Sequence, residues 1–161
     1  MRHEVFLHND PDHYHSKELT LHDCYAEKIT YQDGILRFSL LDGFWITPHH
    51  EGSDLDKVVR TDAAQVDFRI DDIDFVYAAM FTRHLFRKNT VEYWDASRLM
   101  DLVNSNRCTF EFIDQYRTHY EQMWRCALHS KKRPYYRELQ LHLPDTEAVY
   151  HWNRLRPDWE W

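Results

Sequence analysis

Residues 18–47 read ELTLHDCYAEKITYQDGILRFSLLDGFWIT, and this stretch decides the fold. Asp33-Gly34 lies between two runs rich in β-branched and aromatic residues. Both central positions of a type I′ turn need φ above zero, and Asp-Gly meets that need, so the pair predicts a two-residue hairpin loop. The loop sets a register in which Gln32 faces Ile35, Tyr31 faces Leu36, Ile29 faces Phe38, Glu27 faces Leu40, Tyr25 faces Asp42 and Asp23 faces Phe44. One face then gathers Leu19, Leu21, Tyr25, Ile29 and Tyr31 with Leu36, Phe38, Leu40 and Phe44, which is the alternation of a half-buried sheet. The opposite face sets Thr30 against Arg37, Lys28 against Ser39 and His22 against Trp45.

The same register lays Asp23, Glu27 and Asp42 on the apolar face, within diagonal reach of one another. Such a cluster suits a bound cation or a carboxyl of raised pKa. The plainer reading is that the sheet leaves the core at this end and the three groups meet water or an arginine, since charged side chains are seldom buried unpaired. His22 and Trp45 present an imidazole beside an aromatic platform, as a small-ligand or carbohydrate site does. The ligand-binding candidates are therefore His22, Trp45, Asp23, Glu27 and Asp42. No catalytic residue, metal ligand set or cofactor is expected.

The 161 residues, 43% of them hydrophobic, suffice for one good core, and a single β-rich domain over residues 1–161 is expected. Aromatic residues make up 16%, with 3 Gly and 5 Pro, a balance that favours aromatic-rich strands. A formal net charge of −7 argues against general nucleic-acid binding and favours a basic partner or simple solubility. Met1-Arg2-His3-Glu4 opens no apolar signal core and no run approaches a membrane span, so a cytoplasmic protein without a membrane role is expected. Cys24, Cys108 and Cys126 are odd in number and lack zinc-site spacing, as buried, reduced thiols would. Cys24 near His22 is the one place for a Cys–His pair.

Along the rest of the chain, residues 4–7 suit a short strand. His13 and His15 share a face if extended, and with His8 or His22 they compose a conceivable zinc or nickel set; a solvated His-rich segment is the alternative. Residues 48–54 are polar and carry breakers, the pattern of a long loop that places His49 and His50 at the surface. Val66, Phe68 and Ile70 keep one parity, and Ile73, Phe75 and Tyr77 keep the other, which demands a bulge or turn at Asp71-Asp72. Residues 75–87 read as strand. Asp95 or Ser97 caps a short helix whose apolar side is Leu99, Met100, Leu102 and Val103, ending at Asn104-Ser105-Asn106.

Cys108, Phe110 and Phe112 alternate as a strand. Residues 113–129 fit either period, and strand is chosen because Leu139, Leu141 and Leu143 alternate and need a neighbour. Lys131-Lys132-Arg133 then becomes a solvated hairpin tip. Residues 148–155 are expected as a last strand paired with 135–143, and Trp159 and Trp161 are expected to dock back on the body. With three glycines, Gly34, Gly43 and Gly52, no Walker loop or dinucleotide fingerprint is possible, and G-x-S-x-G, H-E-x-x-H and EF-hand patterns are missing.

Leu21-His22-Asp23-Cys24, Asp33-Gly34-Ile35-Leu36-Arg37-Phe38 and Asp42-Gly43-Phe44 together resemble small bacterial proteins of unknown function, some grouped with the immunity proteins of polymorphic-toxin systems. The likeness covers about the first third of the chain, with a strand–helix–strand similarity over residues 95–112. It implies a cytoplasmic bacterial protein that binds another protein, and it assigns no functional residue.

The expected fold is mainly β at the α+β margin: an antiparallel β-sandwich or half-open barrel with at least one short helix packed on it. The expected function is non-enzymatic binding of a basic protein partner through an acidic and aromatic surface, immunity-like in the form that the resemblance implies. A small-ligand or carbohydrate site at Trp45 and His22 is the second reading. A metal-dependent hydrolase using Asp23, Glu27 and histidines is the third.

Overall fold

A computed structural model describes residues 3–7, 19–48, 56–82 and 88–160, with the backbone alone for 3–7 and 157–160. Among the described residues the strands are, in chain order, β1 (His3–Leu7), β2 (Leu19–Thr20), β3 (Cys24–Gln32), β4 (Ile35–Leu40), β5 (Trp45–Ile46), β6 (Val59–Thr61), β7 (Ala64–Arg69), β8 (Tyr77–Thr82) and β9 (Thr90–Asp95). They continue, after the helix α1 (Ala96–Asn104), with β10 (Cys108–Arg117), β11 (Glu121–Ser130), β12 (Tyr136–Pro144), β13 (Ala148–Trp152) and β14 (Leu155–Glu160). They pair into two antiparallel sheets, one ordered β1-β13-β7-β4-β3-β10-β11-β12-β8-β9 and the other β14-β6-β5-β2. The mainly β, antiparallel reading with a short helix is the architecture observed.

Asp33 and Gly34 take φ of 52 and 75, as the hairpin loop requires. The register holds from Gln32↔Ile35 to Lys28↔Ser39, and there Glu27 bulges out, so that Ala26 faces Leu40. One extra residue inverts parity from that point on. Cys24 and Ala26 turn into the core, while Tyr25 is half-buried and Glu27 exposed. The expected sharing of the apolar face by Asp23, Glu27 and Asp42 is thereby overturned. Beyond the bulge β2 leaves for the smaller sheet, where Thr20, rather than His22, faces Trp45.

Gly43 makes the passage between sheets possible. Its φ is 70, and a Cβ built on it would lie 2.1 Å from Thr61 Oγ1 and 2.2 Å from the Asp62 carbonyl oxygen. The chain here presses directly on β6, with Phe44 N–H donating to Thr61 Oγ1 at 3.0 Å and Thr61 N–H to Phe44 O at 2.9 Å.

Phe38 sits at the centre of the large sheet's buried face, with ring centroids 5.8 Å from Phe68, 5.6 Å from Phe110 and 5.1 Å from Phe112. Phe44 joins the smaller sheet to this core through Tyr150 at 5.0 Å and Trp152 at 5.4 Å. Leu19, Leu21, Ile46 and Val59 belong to the same buried cluster.

Asp95 caps α1 as expected, its Oδ1 accepting the Arg98 N–H at 2.8 Å. Ala96, Leu99 and Val103 are the buried side of the helix, which touches β3 and β10 as well as β8 and β9. Those pairs are separated by β11 and β12 in the sheet, so the sheet must curl around the helix. Asn104 closes its last turn with a second task. β3 pairs with β10 only from Cys24 to Ala26, which leaves the Ile29 peptide beyond the ladder. Asn104 Oδ1 accepts the Ile29 N–H at 2.9 Å, and its Nδ2 donates to the Ile29 carbonyl at 2.7 Å.

Residues 113–129 are strand, in two pieces: β10 ends at Arg117 and β11 begins at Glu121, closed by Thr118 N–H donating to Glu121 O at 2.8 Å. Lys131, Lys132 and Arg133 form an exposed tip between β11 and β12. The expected pairing of the last leucine-rich strand with residues 148–155 is corrected, because β12 lies between β11 and β8, and β13 lies between β1 and β7. The connecting segment is pinned away from a tight hairpin: Arg117 Nε donates to Asp145 Oδ1 at 2.6 Å, and Thr146 Oγ1 donates to the Arg69 carbonyl at 2.6 Å, at the end of β7. The Asp71-Asp72 break is a turn, in which Asp72 caps a short 3₁₀ segment, Ile73–Phe75. The backbone of Trp159 lies in β14, whose Glu160 pairs with Val59. Trp161, His8, His13, His15, His49 and His50 lie outside the described residues. No helix among the described residues is long and apolar enough to cross a membrane.

Candidate functional site

The five candidates do not converge on one site. Trp45 is only 8% exposed, and the Arg60 guanidinium lies over its ring at 4.7 Å, so the platform is already covered from within. The same Arg60 donates from Nε to the Asp42 carbonyl at 2.6 Å, and the Asp42 carboxylate lies 3.6 Å from Arg156 Nη1. Asp42 thus meets an arginine, the plainer of its two readings. Glu27, moved outward by the bulge, lines a cleft of about 570 Å³ with Ser39, Gln65, His151 and Asn153.

His22 and Asp23 remain together. His22 Nδ1 lies 2.5 Å from the Ile113 carbonyl oxygen, and a carbonyl only accepts, so Nδ1 carries the hydrogen. Ile113 is the bulged residue of β10, without a partner in the β11 register, and this leaves its carbonyl to the imidazole. His22 Nε2 lies 3.5 Å from Asp23 Oδ2. Among the described residues no group of three or more His, Cys, Asp or Glu is placed to hold a metal ion.

Cys24 does not pair with the His22 ring; its Sγ lies 3.5 Å from the His22 carbonyl. Burial pushes its thiol up to about 12, and burial also raises Cys108 and Cys126, so none of the three is a ready thiolate.

Two features outside the sequence-derived candidates stand out. The first is a cleft of about 340 Å³ beside His22, where Leu19, Leu21, Ile113, Trp124 and Tyr150 share the walls with the polar Thr20, Asp114 and Gln115 and with Tyr116. The second is the solvent face of the strands β10, β11, β12, β8 and β9. Cross-strand partners run along it in one row, Tyr116↔Met123↔His142↔Tyr77↔Asp95. Tyr77 stacks on His142 at 4.4 Å and lies 6.1 Å from Tyr93, which is 71% exposed. His142 Nδ1 contacts Glu121 Oε1. Burial, and after it the Glu121 charge, raises the Tyr77 hydroxyl.

A parallel cluster lies further along the same face. The Tyr25 hydroxyl donates to Glu111 Oε1 at 2.8 Å, and His129 Nε2 lies 2.5 Å from Glu111 Oε2. Burial, followed by the hydrogen bond to Glu111, pushes Tyr25 up to about 12. Between the clusters Arg125 lies 3.4 Å from Asp114 and 3.9 Å from Glu138. Strand alternation in residues 108–143 carried a signal for this face, since every second residue of a half-covered sheet points to solvent; what it lacked was the order of the strands.

Comparison with protein-family models, with curated proteins and with solved structures found no match in any of the three.

Proposed function

We propose that this is a non-enzymatic binding protein that recognises a basic protein partner through the solvent face of β10, β11, β12, β8 and β9. The observation that carries the reading is the aromatic row from Tyr116 to Tyr77, with Tyr93 at its diagonal. Tyrosines combine a large apolar body with a hydroxyl, and they are enriched among the residues that dominate interface energies. Around the row stand Glu111, Asp114, Glu121 and Glu138, against Arg125. Together with the net charge of −7 this surface steers positive partners and repels negative ones. The immunity-like form of the reading, in which the basic partner is a toxin, rests on the resemblance and the same surface.

The test is affinity capture from the native host with the wild-type chain and with Tyr77→Ala/Tyr93→Ala in parallel, circular dichroism confirming that both are folded. The reading expects one basic protein held by the wild type at low salt and recovered at least about tenfold less by the variant, the loss typical of a central interface aromatic. Equal recovery by both chains, or no recovered protein, overturns it.

A further inference from the structure

We infer that the hairpin tip between β11 and β12, together with the corner between α1 and β10, binds single-stranded nucleic acid, at a site apart from the aromatic row of the solvent face. Lys131, Lys132 and Arg133 are exposed at the tip, which Ser130 N–H closes by donating to the Tyr135 carbonyl at 2.8 Å. The fold brings Arg107 to them. Cys108 pairs with Ser130, so the residue before the one and the residue after the other stand next to each other at the end of the ladder. Four cations thus share one corner of a chain whose net charge is −7.

Among the described residues no carboxylate pairs with Arg107, Lys131, Lys132 or Arg133. No Asp or Glu occurs in residues 102–110 or 126–137. Glu111 and Glu138, the acidic groups of the solvent face at this end, both pair with Ala127, three residues short of Ser130. Three strand residues span about 10 Å, and the tip lies beyond them. At physiological salt, with a Debye length of about 8 Å, the acidic face offsets little of the tip's charge. An exposed cationic corner of this kind attracts a polyanion.

Tyr135 decides which polyanion. It is 59% exposed, and among the described residues its ring packs on no other ring and its hydroxyl makes no hydrogen bond. Tyr136 beside it is half exposed and lies 5.4 Å from the His129 ring. A single strand offers both things this corner can use, phosphates for the cations and an unstacked base for the open ring. In a duplex the bases stack on one another and leave the ring no face to meet. An acidic peptide would engage the cations and leave the ring idle. Residues 130–136, Ser-Lys-Lys-Arg-Pro-Tyr-Tyr, carry no Leu, Ile, Val, Phe or Trp to enter a bilayer.

The probe is a fluorescein-labelled uridine 12-mer, followed by fluorescence anisotropy. It is titrated with the full chain, with Tyr135→Ala and with Lys131→Ser/Lys132→Ser/Arg133→Ser, circular dichroism confirming that each is folded. The wild type is expected to bind with a Kd below about 100 µM at about 50 mM salt, as non-specific nucleic-acid binders do. Four phosphate contacts on a single strand give a slope of about −2.8 in log K against log salt, so a rise to about 200 mM weakens binding roughly 50-fold. The triple variant keeps Arg107 alone, and its slope falls to about −0.7, roughly a threefold loss over the same range. Tyr135→Ala keeps the wild-type slope and binds at least about fivefold more weakly, the loss of one stacked base. No binding at about 100 µM protein in low salt, or wild-type affinity in either variant, overturns the inference. So does equally tight binding of a duplex 12-mer, of polyglutamate, or of phosphatidylcholine vesicles carrying about 30% phosphatidylserine.

Discussion

Gly43 and Gly34 have nearly the same backbone conformation, φ of 70 and 75, but different surroundings, and this makes them a matched pair. At Gly34 an added Cβ meets the Ile70 carbonyl oxygen at 3.6 Å, an ordinary contact. At Gly43 it would sit 2.1 Å from Thr61 Oγ1, 2.2 Å from Asp62 O and 2.6 Å from Thr61 O, and two of those three atoms are backbone. Alanine in the left-handed region costs about 1–2 kcal/mol at either site, less about 0.4–1 kcal/mol from the stiffer unfolded chain. Gly34→Ala therefore costs about 1 kcal/mol. Gly43→Ala adds an overpacking cost of about 1–3 kcal/mol, because β6 must move by more than an ångström to restore normal separations of roughly 3.5 Å. The total of about 2–4 kcal/mol is a large part of the ~5–15 kcal/mol that holds a domain folded. With a urea slope of about 2 kcal/mol/M, Gly43→Ala lowers the unfolding midpoint by about 1–2 M and Gly34→Ala by about 0.5 M. Equal shifts for the two variants would refute the claim that β6 is packed directly on the passage between sheets.

Two further outcomes follow from the ends of α1. Asn104→Ala removes both partners of the Ile29 peptide and is expected to cost about 1–3 kcal/mol, with faster amide hydrogen exchange at Ile29; Asn104→Asp, able to accept but not donate, falls between it and the wild type. The Asp95 carboxyl is held below the usual carboxylate range, first by the Arg98 N–H and then by the Ser97 hydroxyl. A carboxyl depressed by folding gives stability that is present above its unfolded pKa and is lost as pH falls through the folded one. The stability difference between wild type and Asp95→Asn, which keeps a neutral cap, should therefore shrink as pH drops below the usual carboxylate range, as followed by denaturant melts.

What the sequence made legible was what short-range chemistry controls. Asp33-Gly34 set the hairpin and its register up to Lys28, and Asp95 set the start of α1. Lys131 to Arg133 read correctly as an exposed tip. The bulge at Glu27 was not legible, because no Gly or Pro marks it and the alternation on either side looks intact until it is inverted. Trp45 read as a platform because its cover, Arg60, arrives from another strand. The cleft beside His22 is assembled from residues on either side of a separation of about 100 positions, and only the folded order of strands brings Trp124 and Tyr150 to it. The same is true of β13, whose neighbours were decided by Arg117 and Thr146 pinning the segment before it.

During synthesis the first strand waits. β1 has β13 as its neighbour in the sheet, Leu7 aligned with Ala148, so about 140 residues must leave the ribosome before the ladder closes. At roughly 5–20 residues per second that is a delay of about 7–30 s, in which the edge of β7 that β13 will cover also stands open. A nascent chain of this design completes its largest sheet only at the end, and a ribosome stalled before residue 148 holds a chain with two unclosed borders.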